Sequence, residues 1–148
     1  MQDSLTRDIL VKASKEKVYA AITDPKQIII WFPDAIEGGT LEPGQKPIFI
    51  FGKEGQHKSQ IHVESAKPFD YFSFRWVPGS TGMLGDVLTV PNTLVEFFIE
   101  ELPEGTKVTV KESGFSALPA EVAENSFNQN SGGWEFMMKR LEKTMNQE

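Results

Sequence analysis

Strand alternation sends one carboxylate, Glu112, and one histidine, His57, toward the interior, and these are the side chains best placed for acid–base or ligand-orienting chemistry. In the segment 106–112, Val108 and Val110 share a face, and the period of two puts Glu112 with them. A buried carboxylate must find hydrogen bonds or take up a proton, which suits an acid, a base or a group that orients a ligand. The plainer alternative is a carboxylate that caps nearby backbone or pairs with a lysine. His57 shares a face with Ser59, Ile61 and Val63, so it is either a polar group of a pocket or a solvated residue beside a glycine-rich turn. His62 falls on the opposite face, toward solvent. Two histidines on opposite sides of one strand cannot converge on a metal, and no His-x-x-x-His or carboxylate cluster supplements them, so no metal and no cofactor is expected. Ser113-Gly114 has no base at nucleophile spacing, and Gly52-Lys53-Glu54-Gly55 lacks the Lys-Ser/Thr ending of a phosphate loop. Asp34 and Glu37 read as exposed loop carboxylates.

The aromatic residues carry more weight. Eleven Phe, three Trp and two Tyr exceed what a minimal core of this size demands. Trp31, Phe49, Phe51, Phe74, Trp76, Phe97 and Trp134, with Met138 beside the last, form the expected wall of an apolar pocket. Any one of them reads equally well as ordinary packing. Together they are too many to meet around a single helix, which points to a hollow.

These residues need elements to hold them. Trp134, Met137, Met138, Leu141 and Met145 recur at three- and four-residue spacing, with charged residues between them, and mark an amphipathic helix over 119–146. Ser131-Gly132-Gly133 weakens its middle and predicts a kink there. Upstream, residues 5–11 alternate as a strand, with Leu5, Arg7, Ile9 and Val11 on one face. Ser14 is an N-cap for a helix whose apolar face is Val18, Ala21 and Ile22, stopped at Asp24-Pro25; a second short helix covers 26–32. Strands are expected at 35–41, 46–52, 56–65, 71–77, 93–101 and 106–112, the last two joined through Pro103-Glu104-Gly105. Phe72, Phe74 and Trp76 should face inward together, as should Val95, Phe97 and Ile99. The segment 78–91, with Met83, Leu84, Val87 and Leu88 among its glycines and prolines, has the character of a pocket lip or lid. The element order makes an α+β domain: one curved antiparallel sheet wrapped around a long C-terminal helix, with two short helices after the first strand.

At 148 residues, one domain spanning 1–148 is expected, with no internal repeat. The net charge of −6 and pI of about 5.0 oppose binding to phosphate backbones, and no basic stripe is present, so nucleic acid is not an expected partner. With no cysteine, the chain has no disulfide, thiolate nucleophile or Cys-based zinc site, which suits a reducing cytoplasm. A polar start and the lack of an apolar run near the roughly 18 residues of a span predict neither signal peptide nor membrane anchor.

Three stretches carry a family resemblance: KVYAAITDPKQIIIWF (residues 17–32), KESGF (residues 111–115), and Gly133-Trp134 followed by Leu141. They resemble the activator of heat-shock chaperone ATPase homologue family, part of the START-like, or SRPBCC, superfamily with the helix-grip fold. The resemblance implies a fold that serves lipid transfer, polyketide cyclisation, iron–sulfur-dependent hydroxylation or antibiotic self-resistance in different branches. The ring-hydroxylating branch needs the cysteines and histidines of a Rieske cluster, and this chain has no Cys and two His. The eukaryotic chaperone activator carries a further N-terminal domain, for which no room is expected here. Three functions follow as expectations. The first is binding of a hydrophobic or aromatic, lipid- or polyketide-like molecule between sheet and helix, oriented by Glu112 and His57. The second is a cyclase, dehydratase or hydrolase using Glu112 as acid or base. The third is a chaperone-interacting or self-associating module that uses Leu94 and Phe98 of the outer sheet face.

Overall fold

The computed structural model describes residues 2–78 and 84–146. Seven strands form one antiparallel sheet: β1 (Ser4–Val11), β2 (Ala35–Glu37), β3 (Ile48–Phe51), β4 (His57–Lys67), β5 (Tyr71–Trp76), β6 (Thr93–Leu102) and β7 (Gly105–Ser113). Their spatial order is β1-β7-β6-β5-β4-β3-β2, so the first strand closes against the last and the chain then returns strand by strand. Helices α1 (Lys15–Thr23) and α2 (Pro25–Trp31) follow β1, and α3 (Ala120–Asn146) closes the chain.

Local chemistry sets the boundaries. Ser14 accepts from the Lys17 amide at 3.2 Å and opens α1. Asp24 both ends α1, through its amide on the Ala20 carbonyl, and caps α2, with Pro25 in the first helical position. The second helix therefore begins one residue earlier than the sequence reading, at the proline itself. Strands β2 and β3 are shorter than expected. The turn residues Gly38, Gly39, Pro43, Gly44 and Pro47 occupy much of that region, and Gly44 donates to the Val63 carbonyl rather than to a hairpin partner. Strand β6 turns directly into β7 through Pro103-Glu104, with Leu102 opposite Gly105. Gly105 has a φ of 150°, and a Cβ there would sit 2.4 Å from the Val11 carbonyl oxygen, so only glycine lets β1 close over the hairpin.

The inner face follows the alternation: Phe72, Phe74 and Trp76 on β5, Val95, Phe97 and Ile99 on β6, and Val108, Val110 and Glu112 on β7 are all buried. A bulge between Val63 and Ser65 shifts the phase in β4, so that Ile61 and Val63 face inward before it and Ala66 packs on the core after it. Helix α3 lays Trp134, Met138, Leu141 and Met145 into the concave face. Burying each of these contributes about 1.5–3 kcal/mol, enough to hold the helix continuous through Gly132 and Gly133, the weakened middle that the sequence marks.

The outer face is partly covered. A short 3-10 helix, Val87–Thr89, lies against β4 and β5; Val87 is buried there, apart from the main core, while Leu84 and Leu88 are exposed. Gly85 donates to Gln60 Oε1, and Arg75 bridges to Asn92 Oδ1 at 3.0 Å and to Glu64 at 2.7 Å. This segment corrects two expectations. The described residues of 78–91 run over the back of the sheet, and His62 is half-buried, its Nδ1 lacking a hydrogen-bond partner among the described residues. Met83 lies outside the described residues. Further along the same face, the Tyr71 ring lies tilted against the exposed Phe98 ring, centroids 5.3 Å apart, and its hydroxyl donates to Glu96 at 2.6 Å. Burial and that bond to a carboxylate push the Tyr71 phenol up to about 12.

Candidate functional site

Glu112 sits on β7 between Val95 of β6 and Leu5 of β1 and has no exposed surface. Four side chains donate to its carboxylate. Trp76 Nε1 at 2.8 Å and Thr93 Oγ1 at 2.6 Å reach Oε2; Trp134 Nε1 at 2.8 Å and Asn130 Nδ2 at 2.9 Å reach Oε1. Two donors on each oxygen fill the roughly four lone-pair sites that an ionised carboxylate offers. Among the described residues no cation pairs with it, so the four dipoles alone offset the several kcal/mol of desolvation. The donors come from β5, β6 and both halves of one helical turn of α3. Glu112 is thus the bolt between sheet and helix, which neither the backbone-cap nor the lysine-pair alternative describes.

That bolt fixes a wall. An indole has a single N–H donor, and Trp76 and Trp134 both spend theirs on Glu112. Their ring bodies border a partly open pocket of about 130 Å³, completed by Phe32, Phe51, Asn130, Gly133 and Met137. Phe32 is the organising ring: its centroid lies 5.0 Å from Trp134, 5.7 Å from Phe51 and 6.0 Å from Trp76. On α3, Asn130–Trp134 and Gly133–Met137 are adjacent four-residue ridges, so the helix presents two rows to the pocket. Gly133 contributes by omission. A Cβ built there meets nothing within 4 Å, so the missing side chain is space.

The sequence-predicted residues separate into four groups. Phe51, Trp76 and Trp134 border the pocket, and Glu112 stands behind its two tryptophans. Trp31, Phe49, Phe74, Phe97 and Met138 are packed into the core with at most 1 % of their surface exposed, and Trp31 donates to the Ala21 carbonyl at 2.9 Å. The hollow is consequently smaller than the aromatic count suggested, because Phe32 bridges rings that would otherwise have left a gap. His57 is exposed at the first residue of β4, opposite Phe51, and does not border the pocket. On the outer face Leu94 is half-buried and Phe98 is exposed.

Phe32, Asn130, Gly133 and Met137 were not singled out as site residues. Two signals point to them. A ring at the last position before Pro33 must leave the helix and find apolar surface, and running the Trp134 stripe back by four lands on Asn130.

Larger but differently built depressions also lie among the described residues. One, about 370 Å³, lies between β1 and α3 and is edged by Arg7, Asp8, Glu135, Lys139 and Glu142; another, about 530 Å³, lies beside α1 and the 40–43 turn. Neither has an aromatic wall with convergent polar groups.

The family model described as Activator of Hsp90 ATPase homolog 1-like protein matches residues 12–146. No curated protein matches the sequence. Among solved structures, DynU16, a protein of the dynemicin biosynthetic locus, superposes with a TM-score of 0.76 at 24% identity, covering 97% of this chain. The chain spans about half of that protein's length (47%). Protein MLL2253 from Mesorhizobium loti superposes at 0.75 with 18% identity, covering 95% of this chain and 94% of that one. Aha1 from Colwellia psychrerythraea, solved as a dimer, superposes at 0.73 with 18% identity, covering 99% and 98%. At these identities the likeness establishes the fold. No helix among the described residues is long and apolar enough to cross a membrane.

Proposed function

We propose that this chain, which belongs to the Activator of Hsp90 ATPase homolog 1-like family, takes a small hydrophobic or aromatic molecule into the pocket between β3, β5 and α3. One observation carries the reading: Glu112 absorbs the N–H groups of Trp76 and Trp134, leaving an apolar aromatic wall open to a guest. A similar fold in a protein of a natural-product locus supports a small-molecule role. In this reading Glu112 positions the wall. Its lone pairs are occupied and it has no exposed surface, so an acid or base role would first require breaking at least one of the four hydrogen bonds. Calorimetric titration with benzene, phenol, indole and short-chain alcohols should give saturable one-to-one binding of at least one guest. Flat isotherms for every guest would reject the reading.

A second reading, self-association, rests on a different observation. Phe136 of α3 is 60% exposed and Ile30 of α2 is 57% exposed, and Arg140 ties the two helices by donating to the Ile30 carbonyl at 3.2 Å. The dimer named for the Colwellia protein supports it. Sedimentation of the wild type and of Phe136→Ser should then differ in mass; a monomer in both would remove it.

A further inference from the structure

Resting on the ligand-binding reading, we infer that the guest enters with a single aromatic ring bearing a hydrogen-bond donor, of the phenol type, and that carboxylates are excluded. Size comes first. A space of about 130 Å³ is close to the roughly 150 Å³ of an engineered apolar cavity that holds one benzene. One ring fits, and the rest of a larger molecule must extend through the open side.

Polarity decides the rest. The wall offers no side-chain donor to an anion: the indole N–H groups of Trp76 and Trp134 are committed to Glu112, and Phe32, Phe51, Met137 and Gly133 have none. Among the described residues no lysine or arginine borders the space, and a buried carboxylate stands behind it. An entering carboxylate would lose its water and gain repulsion. Asn130 supplies the one specific polar feature. The Glu112 carboxylate accepts and does not donate, so it fixes the Asn130 amide with Nδ2 inward at 2.9 Å, which turns Oδ1 away from Glu112. Asn130 borders the pocket, and among the described residues its Oδ1 has no donor. An O–H on the ring completes the amide. Selectivity for the guest is therefore written by a residue that never touches it: Glu112 orients Asn130 and silences both tryptophans.

The test compares benzene, phenol and benzoate by calorimetry on the wild-type chain and on Asn130→Leu. Phenol is expected to bind roughly five- to tenfold tighter than benzene, as one added hydrogen bond allows, with benzoate giving no saturation. In Asn130→Leu the phenol advantage should vanish while benzene still binds. Equal affinity of phenol and benzene in the wild type, saturable benzoate binding, or an undiminished phenol preference in Asn130→Leu would each overturn this inference and leave the ligand-binding reading standing. Failure of all three guests in the wild type overturns the ligand-binding reading, and this inference with it. The wild-type series needs no variant, so it decides even if Asn130→Leu does not fold.

Discussion

The two ends of the groove beneath α3 are built from the same helix stripe and reach opposite outcomes. Toward the C-terminus, Met138, Leu141 and Met145 fill the space against the sheet with 8% or less of any side chain exposed. Toward the middle, the same stripe carries Asn130 and is flanked by Gly133, and there the groove stays open. Trp134 stands at the junction, one edge bonded to Glu112 and its ring against the pocket. Whether a helix gripped by a sheet leaves a cavity is thus decided by side-chain volume along one face, and here by two positions.

The largest test of that contrast removes the bolt. Glu112→Leu leaves four donors without their acceptor and should destabilise the fold by at least about 3 kcal/mol in denaturant unfolding, since each buried donor left unsatisfied costs about 1–3 kcal/mol. Guest binding should go with it. At the filled end, Leu141→Ala should cost a comparable 2–5 kcal/mol yet leave guest affinity unchanged below the unfolding transition. Equal loss of affinity in both would mean that the two ends are not separate.

A smaller and sharper effect comes from the glycine pair. Alanine is favoured over glycine inside a helix by about 1 kcal/mol, and neither Gly132 nor Gly133 has an atom within 4 Å of a built Cβ. Both Gly132→Ala and Gly133→Ala should therefore stabilise the protein. Only Gly133→Ala puts a methyl into the pocket, so it alone should weaken guest binding. Identical affinities in the two variants would show that the space beside Gly133 is not where the guest sits.

The smallest effect is remote from both ends and serves as a control for the outer face. Tyr71 is raised from its ordinary 10 to about 12 by burial and by its bond to Glu96. Its raised value stabilises the folded state fully below about pH 10, where the unfolded phenol is also protonated, and that contribution is lost as pH climbs toward 12. Tyr71→Phe should flatten this part of the pH–stability curve without touching guest binding. An unchanged curve would mean that the Tyr71–Glu96 bond does not persist in solution.

Much of this fold was legible because its elements obey simple periods. Alternation named the inward residues of β5, β6 and β7, including Glu112, and the Ser14 and Asp24-Pro25 signals placed both short helices within a residue or so. The site was less legible. Periodicity gives the face of a residue but not how far along the groove the helix stands off, so Phe49, Phe74 and Phe97 could not be told from Phe51. His57 shows the same limit, opposite the pocket residue Phe51 yet exposed and off the pocket's border. His62 and Val87 were misjudged because a loop folding back over an outer face leaves no periodic trace. The stripe marks the face Asn130 lies on, but its role was not legible because it depends on a carboxylate eighteen positions away that only the fold brings near.

The central claim is that Glu112 holds the Trp76 and Trp134 indoles in place and turns their rings into a wall for a guest. Nitrogen-15 correlation spectra resolve one indole N–H signal for each of the three tryptophans. On titration with phenol the signals of Trp76 and Trp134 should move together and saturate, while that of Trp31, bonded to the Ala21 carbonyl, stays fixed. Absence of any saturable shift, or equal drift of all three, would contradict the account.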